Sequence, residues 1–259
     1  MATALIVWCA VGIAVWWALL RRTPHGLGGR VFPTEWGRPE GVLATIIGAY
    51  FLLSILGGSG AAGPITPNAV NSGITLYAVL LTLLLSFLAA RKLSPVQIFG
   101  LAPRHWLGVL ALAVVGFAAT YPAVLVVEQL TSALGPSASD GDEMVQYLSG
   151  PLSPLNKATA IALAVLVAPL TEEFIFRGFF YGVLKRHFGQ LAGMAASAAF
   201  FAAVHQNIPA IPALFVLAVG FTLAYELTGS LWAPVLMHAL FNGVSVVVIL
   251  FFPEWIPNS

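Results

Sequence analysis

The sequence predicts an all-α fold, a polytopic membrane helical bundle with about eight transmembrane helices, and three observations carry that prediction. The first is composition: 59% of the 259 residues are apolar and only 8% are charged, where an ordinary soluble domain is about 25% charged. The mean hydropathy of +0.92 agrees. The second is run length. Crossing about 30 Å of hydrocarbon takes roughly 20 apolar residues, and the chain offers such runs repeatedly. The third is the lack of strand-like alternation over those runs, which favours helices over a barrel.

Taken in order, the spans fall at about 2–20, 41–57, 74–90, 107–127, 158–184, 190–206, 211–228 and 231–252. The first has no basic residue before it and Arg21 and Arg22 after it, the reverse of a secretory leader, so a retained anchor is expected. The second and third are short for spans. The fifth is long, so a bend or a partly interfacial stretch is expected. The segment 128–157 contains GPSASDGDE and few apolar residues, which reads as an exposed loop. No internal repeat is visible and no soluble domain fits in the remainder, so residues 1–259 read as a single transmembrane domain. A net charge of +1 gives no reason to expect a nucleic-acid partner. A lone cysteine, Cys9, forms no internal disulfide.

Lysine and arginine favour the cytoplasmic side. Arg21, Arg22, Arg30 and Arg38 follow span one, Arg91, Lys92 and Arg104 follow span three, and Lys185 and Arg186 follow span five. These alternate loops are therefore assigned to the cytoplasm. With eight spans both termini then lie outside it, in an integral multi-pass protein of the lipid bilayer.

Charge inside a span needs a reason. The stretch PLTEEFIFRGFF, from Pro169 to Phe180, carries Glu172, Glu173 and Arg177 among apolar residues, and a charge at the bilayer centre costs from about 3 to over 10 kcal/mol. Glu173 and Arg177 stand four apart on one helix face and pair there; that pair reads as architectural. Glu172 is turned about 100° from Glu173 and needs another partner. Polar residues on later spans supply candidates: His205 in FFAAVHQN, and His238 and Asn242, again four apart, in LMHALFNG. A single intramembrane histidine is more often a packed, hydrogen-bonded one, and a single asparagine serves as glue between helices. Together, Glu172, His205, His238 and Asn242 form a set able to converge on one wet cavity. A glutamate with a histidine activates water, and a histidine with an asparagine donates hydrogen bonds to an oxyanion. That is equipment for peptide-bond hydrolysis.

Burial favours the uncharged acid, and a protonated acid is no base, so such a site needs water, a hydrogen-bond donor or a metal beside Glu172. On the span limits above, His205 lies near the outer end of its helix and His238 in the inner half of its own. At 1.5 Å per residue the mismatch is roughly 10 Å or more, which tilt, a broken helix or shifted ends must absorb. Other signals are weaker. GGSG at Gly57–Gly60 has the GxSG pattern of rhomboid serine proteases, with Ser59 as nucleophile and His238 as base, but a short match in a glycine-rich stretch is cheap. Asp140 and Asp142 lie in the polar loop, outside any aspartyl GxGD pattern. Gly178/Gly182 and Gly189/Gly193 have the spacing of close helix packing.

The motifs EExxxR (Glu172, Glu173, Arg177), FxxxH (Phe201, His205) and HxxxN (His238, Asn242), with the stretch TGSLWAPVLMHALFN from Thr228 to Asn242, resemble those of the CAAX-protease and bacteriocin-processing family of intramembrane endopeptidases. The resemblance covers roughly 158–245, the expected catalytic core, and extends faintly to SPVQIFGLAPRHW, Ser94 to Trp106, which reads as a surface helix. It implies a membrane protease acting on a membrane protein or lipidated peptide, of CAAX type or a precursor. By motif position, Glu172 and His205 activate water, His238 and Asn242 steady the oxyanion, and Glu173 and Arg177 lock the helix. The family is also described as metallopeptidases. The residues alone require no cofactor, but Glu172, His205 and His238 plus water are also a donor set for Zn2+ with an open position. Glutamate-activated water is preferred, because Asn242 is a poor zinc ligand and a natural oxyanion donor. Two readings outside proteolysis stand beside it: a catalytically silent scaffold or bacteriocin-immunity protein of the same fold, and an ion-conducting protein whose acids and histidines form a proton relay.

Overall fold

The computed structural model describes residues 2–21, 30–31, 35–57, 65–135 and 143–255. They are helical almost throughout and contain no strand, as the composition demands. Six helices are long and apolar enough to cross a membrane: Thr3–Arg21, Pro67–Ala90, Trp106–Ser132, Pro154–Phe188, Ile208–Thr228 and Trp232–Phe251. They correspond to six of the eight expected spans. The second expected span is helix α2, Arg38–Gly57, of 20 residues. The sixth, expected over 190–206, is a helix of only 15 residues, Gln190–Val204. At 1.5 Å per residue it is about 22 Å long.

Local chemistry explains where the helices begin. α1 (Ala2–Arg21) packs on α5 (Trp106–Ser132), with the Trp8 indole N–H donating to the Ala118 carbonyl at 3.1 Å and that of Trp16 to Thr120 Oγ1 at 3.0 Å. α3 (Pro67–Ala90) starts with Pro67 in its first turn and Thr66 as cap, its hydroxyl accepting from the Ala69 N–H at 3.2 Å. Ser153 and Pro154 repeat that device, at 3.2 Å to the Asn156 N–H. Both are ordinary helix-start signals.

Two expectations need correcting. The segment 128–157 is not all exposed loop: α5 runs on to Ser132, and α6 (Glu143–Ser149) places Tyr147 and Leu148 in a core with Val70, Val246 and Ile249. Its apolar residues are few but spaced to share one helix face. Asp140 and Asp142 lie outside the described residues. Ser94–Trp106 is not a surface helix either. Only α4 (Pro95–Ile98) is helical before α5, and the next residue, Phe99, is fully buried. Its ring lies edge-on to Phe174 at 5.3 Å, and its carbonyl accepts the Leu231 N–H at 2.9 Å. In the Gly57–Gly60 motif, Ser59 falls outside the described residues.

The long fifth span is the centre of the bundle. It runs α7 (Pro154–Ala162), a π-turn (Leu163–Val167), α8 (Ala168–Glu173), a second π-turn (Phe174–Phe180) and α9 (Tyr181–Phe188). The expected bend thus takes the form of two widened turns. Pro169 accounts for the first. It has no N–H, and the Ala168 N–H bonds one residue further back than usual, to Leu163. The Ala164 carbonyl is left without a helical donor. Around this helix, α10 (Gln190–Val204), α11 (Ile211–Thr228) and α12 (Trp232–Phe251) wrap an aromatic core of Phe174, Phe176, Phe179, Phe180, Phe201 and Phe221.

The expected glycine packing holds at three of four positions. A Cβ on Gly178 comes within 2.9 Å of the Phe99 ring, one on Gly182 collides with the Trp36 indole, and one on Gly193 comes within 2.7 Å of the Lys185 backbone. Gly189 instead ends α9 with φ +80° and has open space around it. Gly182→Ala is expected to cost about 1–3 kcal/mol by overpacking and to lower the unfolding temperature in detergent. Gly243→Ala, whose added Cβ meets Val165 at an ordinary 3.8 Å, serves as the control that leaves it near wild type.

Candidate active site

α8 ends on the two glutamates, with a π-turn on each side. π-Turns inside helices are frequent at functional sites, because the widened turn re-aims side chains. Both acids are buried, Glu173 fully. The Glu173 carboxylate accepts from Arg177 Nη1 at 2.9 Å, as the four-residue spacing predicts. Arg177 is itself 1% exposed, and its guanidinium lies 4.2 Å from the centre of the Phe201 ring and 5.0 Å from that of Phe221. A cation between two aromatic faces gains up to about 2 kcal/mol when desolvated. The buried charge is therefore answered on several sides at once.

The structure departs from expectation in the partner of the acids. One imidazole serves both. His238 Nδ1 lies 2.9 Å from Glu173 Oε1, and Nε2 lies 3.9 Å from Glu172 Oε2. Glu172, though turned about a quarter of a circle from Glu173, meets the opposite edge of the same ring. His238 is held flat on Phe221, with centroids 4.8 Å apart and planes at 26°. Because Nδ1 faces a carboxylate, it carries the proton and donates it. In the neutral ring Nε2 is then an acceptor. It faces Glu172 Oε2, a buried acceptor with no hydrogen-bond partner among the described residues.

The other oxygen of Glu172 has a partner that sequence reasoning missed. The Tyr77 hydroxyl, from α3, donates to Glu172 Oε1 at 2.5 Å. Nothing local marks Tyr77: it is one aromatic in an apolar run, and only the packing of α3 on α8 brings it here. The signal available in the sequence was indirect, namely that Glu172 needed something to face.

Asn242 and His205 are placed differently from expectation. Asn242 Nδ2 donates to the Ala164 carbonyl at 2.8 Å, the group that Pro169 leaves without a helical donor. It is the glue between α12 and the first π-turn, and one amide N–H stays available. His205 caps α10, is exposed, and its Nδ1 donates to the Phe201 carbonyl at 2.7 Å. Phe201 touches both imidazoles, with centroids 4.7 Å from His205 and 5.9 Å from His238. The residue of α10 that meets His238 is Phe201, one turn before His205. The imidazole within 4 Å of Glu172 is thus His238. Glu172, His205 and His238 do not gather as zinc ligands, and no group of three histidine, cysteine, aspartate or glutamate side chains among the described residues does.

Comparison with known proteins falls on this region. Residues 154–244 match the family described as type II CAAX prenyl endopeptidase, Rce1-like. The membrane-embedded CAAX protease MroQ of Staphylococcus aureus (strain USA300) is 34% identical over 95 residues, which is 34% of this chain and 38% of that protein. The chain thus aligns with less than half the length of this curated relative. No solved structure matches. The family expected from the motifs is the one found, and the matched residues hold every expected site residue but not Tyr77. Arg177→Met is expected to cost about 3–5 kcal/mol by leaving Glu173 buried without its cation. The readout is a sharp loss of folded, membrane-inserted protein, with a milder loss for Glu173→Gln.

Proposed function

We propose, from the match of residues 154–244 to the Rce1-like type II CAAX prenyl endopeptidase family, that this chain is an intramembrane endopeptidase whose nucleophile is a water held by Glu172 and His238. The supporting observation is the pair of acceptors, Glu172 Oε2 and His238 Nε2, facing each other across 3.9 Å. Two acceptors do not bond each other. A water with hydrogen bonds of about 2.8 Å to both fits that separation and has its lone pairs turned outward. Attack on a scissile carbonyl forms the C–O bond and passes a water proton to Glu172. Collapse of the tetrahedral intermediate breaks the C–N bond, and the same proton goes from Glu172 to the leaving nitrogen. The free amide N–H of Asn242 donates to the oxyanion. Glu173 holds His238 in the required tautomer, as a carboxylate does behind a catalytic imidazole. Tyr77 fixes the orientation of Glu172 by donating to its Oε1.

His205 retains the role the motif implies, but on a different schedule. Its Nδ1–H is spent on the Phe201 carbonyl in the resting arrangement, a bond worth about 1 kcal/mol. Catalytic hydrogen bonds often tighten only with substrate bound, and His205 joins Glu172 at that stage. The substrate is a membrane-associated polypeptide of lipidated CAAX type or a membrane-bound precursor, reached within the bilayer. The catalytic core is 158–245 together with Tyr77 of α3.

Glu172→Gln and His205→Ala are each expected to abolish cleavage at normal protein level, and Glu172→Gln to trap uncut substrate. Tyr77→Phe is expected to lower kcat by about 10- to 100-fold with little change in KM, since its hydroxyl orients the base. Mapping the cut site in wild-type and variant membranes checks all three. Undiminished biological activity in Glu172→Gln would favour the silent-scaffold reading.

A further inference from the structure

Helix α3 has two faces of opposite character. Val70, Leu84 and Leu88 are buried on one, and Tyr77 on that side reaches Glu172. Half a circle away, at about 100° per residue, runs a row made mostly of amide and hydroxyl side chains: Asn68, Ser72, Thr75, Val79, Thr82 and Ser86. Every member of that row is exposed.

Other outer helices meet lipid in the ordinary way. α1 turns out Ile6, Val11, Ile13 and Trp17, and α2 turns out Ile46, Leu53 and Leu56. These are large apolar side chains suited to acyl chains. α3 is equally a candidate span over Pro67–Ala90, yet its outward row is polar. Thr75 bonds its own helix, at 3.0 Å to the Asn71 carbonyl. The side chains of Asn68, Ser72, Thr82 and Ser86 have no hydrogen-bond partner among the described residues. Thr75 and Thr82 stand within about 6 Å of the helix midpoint, so water at the two ends does not reach them. Hydrocarbon offers such groups no partner, and a neighbouring helix does.

The spacing describes that neighbour. Steps of four and three residues alternate along the whole row, which is the heptad period of a left-handed helix pair crossing at about 20°. Leu76 and Leu83, 55% and 62% exposed, repeat at the same interval and border the seam. Two copies inserted in one bilayer share an orientation, so α3 meets α3 in parallel and each seam residue faces its counterpart. Amides and hydroxyls both donate and accept, so the row complements itself. Asn68 against Asn68 sets the register, as a polar residue at one seam position does in parallel coiled coils.

We propose that α3 is a dimerisation helix: its outward seam packs on the same seam of a second copy, about a two-fold axis along the membrane normal. Tyr77 and the Glu172 site lie on the far side, so the dimer is independent of the proteolytic reading. The test uses membranes containing the full chain with Cys9→Ser and one new cysteine. Oxidation is expected to give a disulfide-linked dimer from Thr75→Cys and from Val79→Cys, and none from Leu53→Cys on the exposed face of α2. In mild detergent, native mass spectrometry is expected to find a dimer whose Kd rises about tenfold or more in Thr75→Phe/Thr82→Phe. Those rings block close approach yet suit lipid, and the unfolding temperature of that variant checks that the fold is kept. Where detergent separates the copies, or the phenylalanine variant is unstable, cross-linking in the membrane decides. Absence of a seam cross-link, or equal cross-linking at Leu53, overturns the proposal, as does a dimer unchanged by the phenylalanine pair. Capture of a different protein by the seam cysteines, in place of a second copy, overturns self-pairing and leaves a heterologous partner on this face.

Discussion

The centre of this molecule depends on one imidazole shared by two carboxylates. His238 gives its proton to Glu173 and turns its lone pair toward Glu172. Remove the ring, and three helices lose their common reference: the fifth span through its acids, α12 through His238 itself, and α11 through the Phe221 face on which the ring lies. Arg177 completes the balance by holding Glu173 and by lying against Phe201 and Phe221. A buried ion pair is seldom a net source of stability. Its value here is geometric. Charge that would otherwise seek water fixes the rotation of each helix about its axis.

The two glutamates are adjacent in sequence yet meet different partners, Tyr77 and Arg177, and the backbone on either side of them is irregular. Pro169 forbids an ordinary ladder, the helix widens, and the Ala164 carbonyl is left for Asn242 to satisfy. In lipid, an unsatisfied carbonyl has no solvent to turn to, so the proline and the asparagine depend on each other across two helices. A residue that looks like part of the chemistry therefore has a structural duty, and that duty draws on only one N–H of its amide.

What the sequence disclosed and what it hid divide along a physical line. Interactions within one helix were legible. The four-residue spacing of Glu173 and Arg177 implied their bond, whereas the helices that begin at Pro67 and Pro154 start several residues before the expected spans at about 74 and 158. The membrane class followed from composition, and the resemblance to a family from spaced motifs. Contacts between helices were not legible, because they depend on rotation and depth that no local pattern encodes. Tyr77 on Glu172 is one such contact, and His238 rather than His205 beside Glu172 is another. Phe99 is a third: a short polar-looking segment hides a ring that fills the core. Pro169 stood in view, but its consequence, a widened turn closed by a distant amide, required α12 to be in place.

The brevity of α10 reaches beyond the protein. At about 22 Å it falls well short of a hydrocarbon layer of about 30 Å, and the polar residues His205, Gln206 and Asn207 follow it. Where such a helix crosses a bilayer, the lipids bordering it shorten or tilt their tails to match its length. Thinning on that flank would bring headgroups and water toward His205 at the end of the helix, and a thin membrane would accommodate the helix at less cost than a thick one.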